Sequence, residues 1–243
     1  MKSIAFATRN SKEILRDPLN IAFGLGFPLI LMFLLSAIQA NVPVSLFEID
    51  SLAPGLTVFG LSFISLFSGT LIAKDRDSSY LMRLFTSPLH SSHFILGYTL
   101  PLLPMALTQT AICYGVSFFL ELKINYNILL AILFQIPAAI LFIGIGLLAG
   151  SVLTDKQVGG ICGALLTNLS AWLSGTWFDL DLVGGTFKKV ANALPFVHAV
   201  KVSQAAVSGD YSNILLHLSW VIGYGVIILG AAIFIFHKKM SQD

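Results

Sequence analysis

The feature that most constrains this chain is a set of six long runs free of Asp, Glu, Lys and Arg. They cover 18–47, 51–73, 84–120, 124–154, 157–178 and 211–237. A hydrocarbon core of roughly 30 Å takes about 20 apolar residues per helix. Each run is therefore long enough for one membrane helix, and none is comfortable for two with a turn between. The expected spans lie near 19–39, 52–73, 95–119, 128–153, 157–177 and 214–236. Composition agrees. Only 11% of the residues are charged and 56% are hydrophobic, whereas a soluble domain carries about 25% charged residues to solvate its surface. The expected fold class is all-α: a single six-span polytopic membrane domain covering residues 1–243. A net charge of +2 gives no footprint for nucleic acid.

Lys and Arg placement orients the helices. Lys2, Arg9, Lys12, Arg16, Lys74, Arg76, Arg83, Lys156, Lys238 and Lys239 fall on the side of the N-terminus. Lys123, Lys188, Lys189 and Lys201 fall on the other. This bias predicts a multi-pass protein of the plasma membrane with both termini in the cytoplasm. Residues 40–51, with Glu48 and Asp50 and no cation, read as an outside loop. The first apolar run follows a charged helix-like segment without a small-residue cleavage pattern, so it is not read as a removable signal peptide.

Three segments lie outside the spans. Residues 3–17 read as an interfacial helix: Ile4, Ala7, Ser11, Ile14 and Leu15 share one face, Arg9, Lys12 and Arg16 cluster opposite, and Phe6 falls off the pattern. A basic face beside an apolar stripe suits a helix lying in the bilayer surface, although an ordinary cytoplasmic helix fits the same pattern. Asp17–Pro18 ends it, because a residue before proline disfavours helical backbone. The loop 74–93 runs Lys-Asp-Arg-Asp-Ser-Ser-Tyr-Leu-Met-Arg-Leu-Phe-Thr-Ser-Pro. Asp77 or Ser78 can cap a short helix there. Tyr80, Leu81, Leu84 and Phe85 share its apolar face and Arg83 points away. Such a face rimmed by charge suits docking to another protein or resting on the membrane. The stretch 178–213 is long for a structureless loop. Phe187, Val190, Ala191, Leu194 and His198 recur at helical spacing, interrupted at Pro195, which predicts short re-entrant helices between spans five and six.

Several chemistries have no residues to carry them. There is no Gly-x-x-x-x-Gly-Lys-Ser/Thr loop for nucleotide phosphates and no His-Glu-x-x-His. His90 and His93 sit i, i+3 apart with no Cys or carboxylate nearby in sequence, and read as loop polar groups rather than metal ligands. Cys113 and Cys162 sit in apolar stretches and suit neither a disulfide framework nor a metal cluster. Within the spans only His217 is ionisable, which argues against a carrier coupled to protons or sodium. Gln109, Gln135 and Asn168 are polar groups suited to helix-to-helix hydrogen bonds.

Two further sets of residues stand out. Gly159, Gly160, Gly163 and Thr167 place small residues along span five, where they permit close helix approach between subunits or within one. Phe59, Phe63 and Phe67 with Ser62 on span two, and Asn168 and Trp172 on span five, combine apolar walls with polar anchors. They suit either ordinary packing or a path for an amphipathic molecule.

Four elements in order resemble the ABC type-2 exporter permeases. The Ile4–Arg16 segment resembles their elbow helix. Lys74-Asp75-Arg76-Asp77 leading to Thr86-Ser87-Pro88 ahead of Gly97 resembles the coupling-helix loop, with Ser78-Ser79 where Gly-Thr is common. Leu173-Ser174-Gly175 and Ala193-Leu194-Pro195-Phe196 resemble the Ser-Gly and Leu-Pro elements. The resemblance implies a non-enzymatic permease forming half of a translocation path. A second permease, identical or a related paralogue, and two ATP-binding subunits would complete it. ATP and magnesium would bind in those subunits, and this chain would hold no cofactor. The substrate would be a drug, peptide antibiotic, lipid or glycolipid. The alternatives are a non-transporting assembly or sensing subunit, and a secondary carrier.

Overall fold

The structure is a computed structural model that describes residues 2–78, 80, 91–123 and 125–240. Among these residues the regular structure is entirely helical. Helix α1 (Lys2–Leu15) ends at Asp17–Pro18. The short α2 (Pro18–Ile21), a π-helical turn at Ala22–Gly26 and α3 (Phe27–Gln39) follow without a break from helical backbone. Gln39 then organises the next connection. Its amide oxygen accepts from the backbone N–H groups of Leu46 and Phe47 (2.9 and 2.6 Å), and its nitrogen donates to the Val44 carbonyl.

Helix α4 (Ile49–Asp77) is the axis of the molecule. Next come α5 (Ser91–Ser117), closed by a 3-10 turn at Phe118–Leu120, then α6 (Asn127–Phe134) and α7 (Ile136–Val152), which together form one span that breaks at Gln135. Pro101 and Pro104 lie within α5. Helical proline is tolerated in membranes when neighbouring groups take up the freed carbonyls.

Five helical stretches are long and apolar enough to cross a membrane: Ala22–Gln39, Ile49–Asp77, His93–Leu120, Asn127–Val152 and Ile214–Lys238. They coincide with five of the six expected spans. The other, expected at 157–177, is helical from Asp155 to Trp172 as α8 (Asp155–Val158), a π-helical stretch at Gly159–Leu166 and α9 (Thr167–Trp172). It is not among those five. Asp155, Lys156 and Gln157 at its start and Asn168 toward its end dilute its apolar character. Its start carries a full capping box, with Thr154 and Gln157 exchanging side-chain and backbone hydrogen bonds.

The 178–213 segment folds into α10 (Leu180–Val183), α11 (Gly185–Ala193) and α12 (Pro195–Ser208), ahead of α13 (Ile214–Met240). The break expected at Pro195 is there: Leu194 is extended and Pro195 opens α12. Gly184 has a φ of +61°, a conformation suited to glycine. Helix α12 buries Phe196, Val197, Ala199 and Val200 against neighbouring helices.

Helix α4 is held to α7 by backbone contact. A Cβ added to Gly146 would lie 2.0 Å from the Ser65 carbonyl oxygen, and one added to Gly150 would lie 2.2 Å from that of Gly69. Ser68 donates to the Ile143 carbonyl at 2.9 Å. Small residues at such a crossing let dispersion and side-chain hydrogen bonds hold helices together where apolar burial gives no drive.

Candidate functional site at the base of helix α4

The last turn of α4 carries four consecutive charges, Lys74-Asp75-Arg76-Asp77. At 100° per residue they point in four directions, and three different elements receive them. Lys74 lies 3.8 Å from Asp17, at the junction of α1 and α2. Asp75 is 2% exposed. Its Oδ2 accepts from Arg9 Nη1 at 2.6 Å and from the Tyr98 hydroxyl at 2.8 Å, which ties α4 to α1 and α5. Arg76 turns to α7. Its Nη1 donates to the carbonyls of Gly150 (3.2 Å) and Ser151 (3.0 Å), and its Nη2 to that of Leu153 (2.6 Å). Those carbonyls are orphans of a helix C-terminus, where a cation is also favoured by the dipole. Asp77 stays largely exposed, 3.8 Å from the Arg76 guanidinium.

Arg9 is the hub. It also pairs with Glu13 at 2.6 Å, donates to Asn10 at 2.9 Å, and lies 4.4 Å from the Tyr80 ring centroid. Partial burial works against its charge, but the Asp75 hydrogen bond and the fields of Asp75 and Glu13 outweigh it. The guanidinium is held above its ordinary pKa and stays protonated.

Beneath this ion network lies an aromatic one. Phe6 packs edge-on against Tyr98 (4.9 Å) and Phe94 (6.0 Å) and stacks on Tyr80 (6.5 Å). The missing side chain of Gly97 admits it, since a Cβ there would lie 2.2 Å from Phe6 Cδ1. Asn10, fully buried, donates to the Gly97 carbonyl at 3.0 Å. This corrects the expected rotation of α1. Phe6, Asn10 and Ile14 make the face that packs on the protein, while Ile4 and Leu15 are 65% and 73% exposed. An apolar wheel counts Phe6 as an outlier because it cannot register the gap at Gly97.

Of the residues expected to dock a partner, Tyr80 is half-buried and turned toward Arg9 and Phe6. Asp77 borders the loop. Leu81, Arg83, Leu84 and Phe85 lie outside the described residues.

The expected path residues divide into two groups. Phe59, Ser62, Phe63 and Phe67 are all buried in α4. Phe59 and Phe63 pack on Phe27 (6.2 and 5.5 Å), Phe59 meets Trp177 at 5.7 Å, and Ser62 donates to the Phe59 carbonyl. Asn168 and Trp172 are exposed on α9; Asn168 donates to the Ala164 carbonyl and Trp172 meets the Phe178 ring at 5.8 Å. The small residues of this run divide too. Gly163 and Thr167 are half-buried, with the Gly163 side facing Leu66 of α4, whereas Gly159 and Gly160 open onto free space.

At the far end of the bundle the structure pairs two histidines that the sequence does not bring together. His198 Nε2 faces the Asn192 carbonyl, so it is the N–H. His198 Nδ1 therefore accepts from His217 Nδ1–H at 2.8 Å. Trp220 stacks on His198 at 5.0 Å, and the Tyr224 hydroxyl donates to the Ala193 carbonyl. Beside this pair opens a cavity of about 420 Å³ lined by Trp177, Asp181, Lys188, Lys201 and Gln204 among others. Among the described residues no three His, Cys, Asp or Glu side chains gather in a way that could hold a metal ion.

Comparison with known proteins accords with this architecture. The chain is 24% identical over 241 residues to a protein of Pyropia yezoensis named "Putative transport permease ycf38", covering 94% of this chain and 81% of that one. No solved structure matches. The family model for the ABC-2 type transporter matches residues 3–207, a range that runs from α1 through the charged base of α4 to α12. The chain is a multi-pass membrane protein of the ABC-2 type transporter family, a transport permease whose family implies partnership with an ATP-binding subunit.

Proposed function

We propose that this chain is the permease subunit of an ATP-driven exporter and forms half of a translocation path for an amphipathic substrate. The observation that carries this reading is the base of α4. Asp75 ties the end of α4 to α1 and α5, and Arg76 ties it to α7, so a displacement delivered just after Asp77 would reach three other helices. A docking loop has use for that linkage only if energy enters through it. In this reading two ATP-binding subunits bind ATP and magnesium, close together and drive the loops of two permeases. The permeases tilt to open the path outward, and hydrolysis resets them.

The finer topology follows the same reading. The 155–172 helix becomes the sixth span once a second permease covers its exposed Gly159, Gly160 and Asn168, because a mid-span amide is costly against lipid and acceptable against protein. The 178–213 helices then form the re-entrant segment, both termini are cytoplasmic, and the protein sits in the plasma membrane. The walls of the path are apolar with few charges, which suits a drug, peptide antibiotic, lipid or glycolipid better than a free ion.

The test is ATP hydrolysis by the reconstituted permease–ATPase complex, measured with transport into inverted vesicles. Candidate amphipathic substrates should stimulate hydrolysis, and Arg76→Gln should uncouple it from transport while the subunits still co-purify. A complex that assembles yet moves none of these classes would support a non-transporting assembly or sensing role instead.

A further inference from the structure

Helix α1 has three faces: one packed on the protein, one exposed and apolar, and one basic between them. The basic face forms a wall of a cavity of about 700 Å³ lined by Arg9, Lys12, Glu13, Arg16, Asp17 and Lys74, among others. Its two acids are already engaged, Glu13 by Arg9 and Asp17 by Lys74. Lys12 and Arg16 are exposed and enter no ion pair among the described residues. The uncompensated charge of the cavity is therefore positive.

Three neighbours fix the depth at which it sits. Ile4 and Leu15, on the adjoining stripe of the same helix, are 65% and 73% exposed, which water disfavours and the acyl boundary accepts. Pro18 begins the first apolar run directly beside the cavity. A second, narrow cleft shares Glu13, Asp17 and Lys74 with it and continues between Ile14, Ile21, Leu71 and Met105. The cavity thus joins a cationic chamber at headgroup level to an apolar cleft at acyl level.

We propose that this cavity is a binding site for the phosphate headgroup of an anionic glycerophospholipid from the leaflet on the α1 side. Lys12 and Arg16 contact the phosphate, Lys74 closes the chamber from α4, and the first methylenes of the lipid enter the cleft by Leu71 and Met105. A bound headgroup would bridge α1 to the base of α4, beside the Asp75 network. A neutral zwitterionic lipid gains less, because its own cation meets the same basic wall.

The full-length chain, purified in a neutral detergent, can be titrated with phosphatidylglycerol or phosphatidylcholine and followed by native mass spectrometry. Phosphatidylglycerol should be retained preferentially. Each cation near a membrane surface contributes about fivefold in affinity, so the Lys12→Gln/Arg16→Gln pair should weaken that retention roughly twenty-five-fold. The control pair Lys156→Gln/Lys238→Gln, exposed cations outside the cavity, should leave it unchanged. Equal losses in the two pairs would mean diffuse charge attraction and would overturn the site. Glycerol phosphate that competes at the lipid's own affinity would make it a free-phosphate site and overturn the lipid assignment. Loss of phosphatidylglycerol on adding the ATP-binding subunit would assign the cavity to that partner instead.

Discussion

Helices α4 and α13 are both apolar, both span length, and almost opposite in surroundings. In the most apolar window of the α4 span 89% of the residues are buried, against 17% in that of the last span. Apolarity therefore says nothing about which helix is central in a membrane protein, since lipid is as apolar as leucine. Small and hydroxylated residues make the difference. Helix α4 offers Gly60, Ser62, Ser65, Ser68 and Gly69, and its neighbours come to touch its backbone. Helix α13 presents Leu215, Val226, Ile227 and Phe234, each about two-thirds exposed or more. It is held on one side by packing along α7, and in its first half by the His198–His217 bond and the Tyr224 hydroxyl on Ala193.

The comparison would break if glycines in the two regions responded alike. Gly146→Ala puts a methyl 2.0 Å from a carbonyl oxygen of α4, and backbone cannot yield as a side chain can. We expect a loss of about 3 kcal/mol, the upper end of the usual cost of overpacking, read as a lower thermal midpoint in detergent or as aggregation. Gly223→Ala in α13 meets nothing within 4 Å and should leave the midpoint unchanged or slightly raised, as alanine is the better helix former.

A smaller effect separates the charged base of α4 from the rest of that helix. Asp75→Asn takes the buried counter-charge from the Arg9 guanidinium and leaves it only the partly exposed Glu13. A broken buried pair costs 3–5 kcal/mol, but Arg9 is one-third exposed, so about 2 kcal/mol is expected. In a double-mutant cycle Arg9→Gln should cost less once Asp75 is gone, its remaining cost being the Glu13 and Tyr80 contacts; strict additivity would show that the pair carries no coupling. Arg76→Gln should cost less, about 1.5 kcal/mol. Its signature is local: amide hydrogen exchange over 150–158, where α7 meets α8, should accelerate while α5 stays protected. Val226→Leu, on the lipid face of α13, should move the midpoint by less than about 0.5 kcal/mol. A lipophilic photolabel should mark α13 heavily and α4 barely.

The same contrast explains what was legible in the sequence. The apolar runs located five helices to within about four residues at each end, the proline at 18 ended α1, and Pro195 divided α11 from α12, because each is a local signal. Lys74–Asp77 was recognisable as a pattern, but its partners were not. Asp75 reaches Arg9 across 66 positions and Tyr98 across 23, and neither distance leaves a periodic trace. The aromatic stripe Phe59–Phe63–Phe67 was visible as a stripe, yet only the structure shows that Phe59 and Phe63 meet Phe27, Phe59 meets Trp177, and Phe67 lies against Gly24. The histidine pair had no sequence signal at all, since His198 alone looks like a helix-face residue and His217 like a lone polar group. The missed signal at Gly97 was a local one. A glycine within a membrane helix permits close approach by a neighbour, and at Gly97 that neighbour is the Phe6 ring.

The backbone contact between α4 and α7 has a mechanical consequence. Two helices touching at glycine have no cushion of side chains to shear, so they behave as one stiff girder, about 43 Å long along α4. A girder transmits a load applied at its foot without absorbing it. Compliance must then reside in joints elsewhere: the positive-φ glycines at 184 and 209 that flank α11 and α12, and the π-helical turns at Ala22–Gly26 and Gly159–Leu166. The stiff pair and its soft joints divide the molecule into an axle and moving vanes. On the proposed function, a stroke delivered at the end of α4 would be spent on reorienting the peripheral helices, not on deforming the core.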